Sequence, residues 1–359
     1  MQFALWSGFI VLVCAFLALD LGVLNKKDHV ISFREALRWT AVWVAVALCF
    51  NALIYVLYDR NIAGLGLGDN PLTGGDAALL FLTGYLVEYS LSVDNIFVIA
   101  LIIGAFRIPR LYQHRVLFWG ILGALVLRGI MIGAGTALIH RFHWTMYVFG
   151  AILLISAAKM HLQKDDEEVD IANSRVVRLA KRFYPVSPKL HGHDFFTVLP
   201  DGRKAMTALF LVLLLVETTD VLFAVDSIPA VFAVTTDPFL VFTSNVFAIM
   251  GLRSLYFALA GMLGRFHYLK TALVVLMAFI GCKMLAADYW HPSPAVSLGL
   301  IALILAAGVF ASLQWPLSAE ELAKHDAKHG DHQTPPPEDA VVGDDLALIA
   351  APADSDPPA

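Results

Sequence analysis

Two stretches of this chain place acidic residues in otherwise apolar surroundings. In VEYSLSVDNI, residues 87–96, Glu88 stands six positions before Asp94, which is followed by Asn95 and Ile96. In TDVLFAVDSI, residues 219–228, Asp220 stands six positions before Asp226, which is followed by Ser227 and Ile228. Glu217 adds a fifth acid just before the second stretch. A carboxylate at the centre of a bilayer costs roughly 2.5 to 3.5 kcal/mol even on lenient insertion scales, so several of them placed there twice point to a cation pathway. Carboxylates with an amide and a hydroxyl, and no histidine or cysteine nearby, suit hard divalent ions such as Mn²⁺, Mg²⁺ or Ca²⁺ better than Zn²⁺ or Cu⁺. The candidate metal ligands are Glu88, Asp94, Asn95, Glu217, Asp220, Asp226 and Ser227. Arg128 in ALVLRGIM and Arg253 in IMGLRSLY are the candidate charge-balancing residues. Five ionised acids against two arginines leave −3, which a divalent ion and one proton neutralise. Unpaired carboxylates in low dielectric take up protons, so exchange of protons for metal is the expected chemistry, with sodium as the competing coupling ion.

The elements that must position these residues follow from composition. With 58% hydrophobic residues and a mean hydropathy of +0.71, the chain carries many apolar runs long enough to cross a hydrocarbon core of about 30 Å. The fold class is therefore an all-α polytopic membrane protein. We read nine transmembrane helices at 3–24, 38–58, 77–104, 115–139, 143–161, 205–234, 239–263, 267–286 and 295–315. Lys26, Lys27, Arg34, Arg107, Arg110, Arg115, the basic stretch to Lys204, Arg265 and Lys270 fall on one side, and Asp59, Asp69, Asp76, Asp237 and Asp288 on the other. The positive-inside rule then sets the N-terminus outside and the C-terminus in the cytoplasm.

An acid helix, an arginine helix and a lysine helix occur in that order twice, the last marked by Lys159 in AAKM and Lys283 in GCKM. Because the spans at 77 and 205 run in opposite directions, these are inverted 3+3 repeats, the arrangement in which transporters hold substrate near the midplane. The organisation is thus two N-terminal helices (1–76), a first three-helix repeat (77–161), a cytoplasmic loop (162–204), a second repeat (205–286), a last helix (287–315) and a disordered tail (316–359). At 1.5 Å per residue, Glu88 and Asp220 come out near mid-membrane at about 16 and 21 Å, with Asp226 outward and Asp94 and Glu217 inward. Residues six apart on an ideal helix are separated by about 9 Å and about 120°, so Glu88 and Asp94 share an ion only across a helix break. Pro229 offers such a break in the second repeat, and a site shared between repeats is favoured.

The middle of the long loop, Val169 to Phe183, sets apolar residues at helical spacing among Arg and Lys. It reads either as a short helix on the anionic inner surface or as a plain linker. Cys14, Cys49 and Cys282 lie in apolar runs without CxxC spacing and read as packing residues. Asp20 reads as an inner gate or an interfacial residue, and His325, His329 and His332, near Asp326 and Asp331 in the tail, either as a weak transition-metal site or as solvated side chains.

ALDLGV, VEYSLSVDNIFV, VETTDVLFAVDSIPAVFAVTTDPFLVFTSN and AIMGLRSLYFALAGMLGRFHYLK resemble the TerC family of bacterial integral membrane proteins, named for tellurium resistance, over about residues 3–315. The resemblance implies residence in the bacterial inner membrane and export of Mn²⁺ as transported substrate, with roles in manganese homeostasis, alkaline-pH response and metal supply to exported enzymes. It assigns the family's acidic motif to Glu88, Asp94, Glu217, Asp220 and Asp226. The expected partners are a divalent cation, protons and the lipid bilayer, with no permanently bound cofactor and no nucleic acid. Two alternatives stay open: a membrane protein acting on tellurium oxyanions, which an acidic pathway repels, and a scaffold docking cytoplasmic or membrane partners on the loop or tail. No nucleophile with a base and no cofactor motif is present, so an enzyme is not expected.

Overall fold

A computed structural model describes residues 2–22, 32–67, 71–106, 108–142, 144–162, 175–187, 192, 194–199, 202–259, 267–290 and 292–315. Apart from one small hairpin and the connecting turns, the described residues are helical. The helices are α1 (Gln2–Gly22), α2 (Phe33–Asp59), α3 (Gly74–Ala105), α4 (Arg110–Arg141), α5 (Thr145–Leu162), α6 (Arg175–Phe183), α7 (Ala208–Phe232), α8 (Pro238–Met250), α9 (Leu252–Leu259), α10 (His267–Leu285) and α11 (Pro294–Gln314). Strands β1 (Phe196–Val198) and β2 (Lys204–Met206) pair antiparallel between α6 and α7. Helix starts carry the residues that satisfy orphan backbone N–H groups. Ser32 caps α2, Thr73 caps α3 while its hydroxyl donates to Asp76, and Asp237 and Ser293 cap α8 and α11 just ahead of Pro238 and Pro294.

Seven described helices are long and apolar enough to cross a membrane: α2, α3, α4, α5, α7, α10 and α11. The span read from sequence at 239–263 is not one straight helix. It is the pair α8 and α9, bent by 40° at Gly251, and counting that pair as one span gives eight. The interruption expected at Pro229 is not where the chain breaks. α7 carries Pro229 within its last turn and ends at Phe232, because only the hydrogen bond to Val225 is lost and helical φ is proline's own preference. α1 is helical over twenty-one residues, with an apolar described stretch from Phe3 to Leu19. The Asp20 side chain, residues 163–174 of the loop and the tail with its histidines lie outside the described residues.

The helices of the two acid-bearing halves interleave. α3 packs on α7 and α8, α4 on α7 and α8, and α5 on α10. The α5–α10 seam depends on two glycines. A Cβ on Gly281 would stand 3.0 Å from the Leu154 side chain and 3.1 Å from the Gly150 carbonyl, and one on Gly150 would stand 3.0 Å from Met284 Cβ. Small residues permit such close approach where lipid gives helices no hydrophobic reason to associate. A second seam is aromatic: Trp6, Phe9, Phe50, Phe81, Phe239, Phe242 and Phe247 join α1, α2, α3 and α8, with Phe50 and Phe247 centroids 4.5 Å apart. It buttresses α3 and α8, and through Phe242 it also reaches Gly129 of α4.

The cysteines depart from the packing role read from sequence. Cys14, Cys49 and Cys282 are all free and exposed on helix surfaces. In a membrane protein the outward face is as apolar as the interior, so an apolar flank does not imply burial.

Gly281→Leu inserts a branched side chain into the close α5–α10 seam, where overpacking costs about 1 to 3 kcal/mol. Its thermal midpoint in detergent should fall clearly below wild type, whereas Gly299→Leu, at a position with open space on α11, should leave the midpoint nearly unchanged.

Candidate functional site

Several hydroxyls on the spanning helices look after themselves. Thr83, Ser90, Thr218, Thr219, Thr243 and Ser312 each donate to a carbonyl three or four residues back in their own helix. This removes the cost of carrying a hydroxyl through lipid and asks nothing of a neighbour. The residues that bond across helices therefore mark where polarity has another use.

They converge on Arg128 of α4, which is 1% exposed. Its Nη1 donates to Glu88 Oε1 of α3 and, at 3.1 Å, to Ser227 Oγ of α7, and its Nη2 donates to Asp220 Oδ1 at 3.2 Å. Asp220 and Ser227 reach the same guanidinium because seven residues, two turns, return a helix to the same face. Glu88, 0% exposed, also accepts from Asn245 Nδ2 of α8 at 2.9 Å and from Ser92 Oγ at 3.4 Å. α8 comes this close because Gly84 lacks a side chain: a Cβ there would stand 2.8 Å from Ser244 Oγ, next to Asn245.

Four helices thus meet on one buried ionic cluster. Two carboxylates face a single guanidinium, so with both ionised the cluster holds an excess negative charge. Two of its oxygens, Asp220 Oδ2 and Asn245 Oδ1, and one donor, Arg128 Nε, are buried with no hydrogen-bond partner among the described residues. Native proteins rarely leave buried polar atoms unpaired, and each of the two open oxygens could take a water or an ion. Both are hard oxygen donors.

The remaining predicted residues lie around this centre rather than in it. Asp226 accepts a 2.6 Å hydrogen bond from Ser156 Oγ of α5, with Lys159 of the same helix within electrostatic reach. Glu217 sets its carboxylate against Gly123 of α4, where any Cβ would overlap it, and stands within electrostatic reach of Asp220. Asp94 is partly buried within reach of Lys270 and Asp226. Asn95 is buried on α3 with no hydrogen bond to the cluster, and Arg253 is buried at the start of α9, just past the Gly251 bend. Among the described residues no three His, Cys, Asp or Glu side chains converge as a chelate. The structure therefore joins Glu88, Asp220, Ser227 and Arg128, and sets Asp94, Asn95, Glu217, Asp226 and Arg253 apart from them.

Asn245, Ser156, Gly84 and Gly123 enter the site without having been candidates, and Ser92 joins it from the helix face that spacing gives it with Glu88. Asn245 had a legible signal, an amide in the apolar run VFTSNVF. Ser156 had none, since a helical serine usually bonds its own backbone.

This is a polytopic helical membrane protein built around a buried, net-acidic ion cluster. The profile of the integral membrane protein TerC family matches residues 73–319, and the chain belongs to that family. An uncharacterized membrane protein of Myxococcus xanthus is 53% identical over 309 residues, covering 86% of this chain and 92% of that one. Proteins named "Putative membrane-bound redox modulator Alx" are 47% identical over 303 residues in Photorhabdus laumondii and 46% over 302 in Escherichia coli K12. Each of these two alignments covers 84% of this chain, with 92% and 91% of the respective relative. No solved structure matches.

Removing one partner of a buried pair leaves an uncompensated charge, at a cost of about 3 to 5 kcal/mol. Arg128→Gln should therefore be strongly destabilised in a denaturant titration in micelles. Adding Glu88→Gln to it should restore part of the loss. A double variant as unstable as the sum of the singles would mean that Arg128 and Glu88 do not act as a pair.

Proposed function

We propose that this protein exports a divalent cation, Mn²⁺, in exchange for protons, through a site that uses Glu88 and Asp220 at the centre and Asp226, Asp94 and Glu217 on its approaches. The observation that carries the reading is the excess of buried carboxylate over guanidinium at Arg128, together with the open oxygens Asp220 Oδ2 and Asn245 Oδ1. A network that served only to hold helices together would need no surplus negative charge. In the arrangement described, the guanidinium of Arg128 stands where a cation would be attracted. Loading then requires that Arg128 yield one carboxylate, or that the ion enter beside it on the open oxygens. Proton return on the same acids restores neutrality for the reverse step.

What supports inverted repeats is which helices touch. Exchanging α3 with α7, α4 with α8 and α5 with α10 maps the α3–α8 contact onto α4–α7 and returns α3–α7, α4–α8 and α5–α10 to themselves. Such closure is what a pseudo-twofold between halves would produce, and it supports the inverted-repeat reading. The nine-span reading needs α1 and the bent pair to cross as well, with the N-terminus outside and the C-terminus cytoplasmic in a bacterial inner membrane. The basic loops support that direction.

A role in handling tellurium oxyanions fits less well, because Arg128 is already engaged by two carboxylates. A scaffold would depend on exposed segments instead. The redox role in the name of the two Alx relatives would call for a thiol pair or a cofactor, and the three cysteines here are free.

Asp226→Asn and Asp94→Asn keep side-chain shape and remove charge. Each should insert normally and lower Mn²⁺ export at least tenfold in cells loaded with the metal, while a chain ending at Trp315 should keep export and manganese tolerance. Full export by both variants would remove these acids from the pathway, and tolerance lost on truncation alone would favour the scaffold.

A further inference from the structure

The segment between α5 and α7 carries a surface that the transport reading does not use. On α6, Val176, Val177, Leu179, Ala180 and Phe183 occupy one arc of the helix and Arg175, Arg178, Lys181 and Arg182 the opposite one. The apolar arc is wider than the contact that uses it. Val177 and Ala180 are buried with Met206, Ala208 and Leu209 at the end of the bundle, whereas Leu179 and Phe183, one turn apart, stay exposed, Phe183 at 72%. The hairpin extends this edge. Tyr184 meets Phe196 with ring centroids 6.0 Å apart, and Phe196 and Val198 point to one exposed face because strand side chains alternate. Leu179, Phe183, Tyr184, Phe196 and Val198 therefore form one apolar strip.

Its level is set by α7. Phe196 lies over Phe210 at 4.6 Å between centroids, and Phe210 is in the first turn of a membrane-spanning helix. The strip is thus held at the boundary between hydrocarbon and headgroups. Beside it stand the exposed cations Arg178, Arg182, Arg203 and Lys204, and Arg115 at the start of α4 covers the Phe195 ring at 4.8 Å. Apolar side chains at acyl depth flanked by cations at headgroup depth are complementary to an anionic leaflet.

We propose that α6 and the β1–β2 hairpin form an anionic-phospholipid docking strip, with Leu179, Phe183, Phe196 and Val198 inserted at the acyl boundary and Arg182 and Lys204 on the headgroups. Because β2 runs directly into α7, occupancy of the strip bears on the helix that carries Glu217, Asp220 and Asp226.

The test uses the full chain with Cys14, Cys49 and Cys282 replaced by alanine, spin-labelled singly at Phe183→Cys, Val198→Cys or Arg182→Cys. It is reconstituted in nanodiscs of phosphatidylcholine alone or with 30% phosphatidylglycerol. Oxygen and nickel-chelate accessibilities then give label depth. In the anionic discs, labels at 183 and 198 should be at least fivefold more accessible to oxygen than to the chelate, and the label at 182 should show the reverse. That contrast at 183 should shrink at least twofold in the neutral discs, and likewise when Arg182→Glu and Lys204→Glu are introduced. Melting equal to that of the parent shows that these exposed changes leave the fold intact. Labels at 183 and 198 that face water in both compositions, as a surface for a soluble partner would, overturn the proposal. So does insertion indifferent to both phosphatidylglycerol and charge reversal.

Discussion

The buried pairing of Arg128 with Glu88 and Asp220 is the constraint around which the rest of the structure is arranged. An ion pair taken fully out of water is costly unless its geometry is good and its remaining donors and acceptors are met. Four helices meet most of them here, leaving Asp220 Oδ2, Asn245 Oδ1 and Arg128 Nε open. α4 brings the cation, α3 and α7 the acids, and α8 the amide that fills the second oxygen of Glu88. Helices that would otherwise slide against one another in lipid acquire a fixed register, because a shift of one turn would strand a charge.

The close approaches elsewhere serve that register. Gly84 lets α8 sit against α3, and Gly123 makes room on α4 for the Glu217 carboxylate. The aromatic seam holds α2, α3 and α8 on one flank, and the glycine seam of α5 with α10 holds the other. The halves are not equivalent. Arg128 lies in an unbroken helix at the centre of the cluster, whereas Arg253 follows the bend at Gly251. One arginine therefore holds the central acids while its counterpart sits beside a joint.

The class of protein was legible because lipid imposes long apolar helices, and the central residues because charges in such helices are costly enough to stand out. Depth counting placed Glu88 and Asp220 both near mid-membrane, about one turn apart, and they meet on one arginine. The 40° bend was hidden, since MGL looks no different from a continuing span. Pro229 drew attention as a break, yet a proline so near a helix end costs only one hydrogen bond. Outward-facing cysteines could not be told from inward ones, because periodicity separates apolar from polar and both faces of these helices are apolar. Ser156 and Gly123 were silent because their roles depend on which helix lies opposite.

If surplus buried carboxylate is the basis of function, removing it must abolish coupled ion movement and leave a folded protein. The direct measurement is in proteoliposomes that report internal Mn²⁺ and internal pH together. The wild-type chain is compared with a variant carrying Glu88→Gln and Asp220→Asn, reconstituted at equal density. The account predicts that Mn²⁺ added outside enters wild-type liposomes with opposed proton movement, and that the variant shows neither flux above protein-free liposomes. Equal Mn²⁺ entry in the two, or none in the wild type, would contradict it.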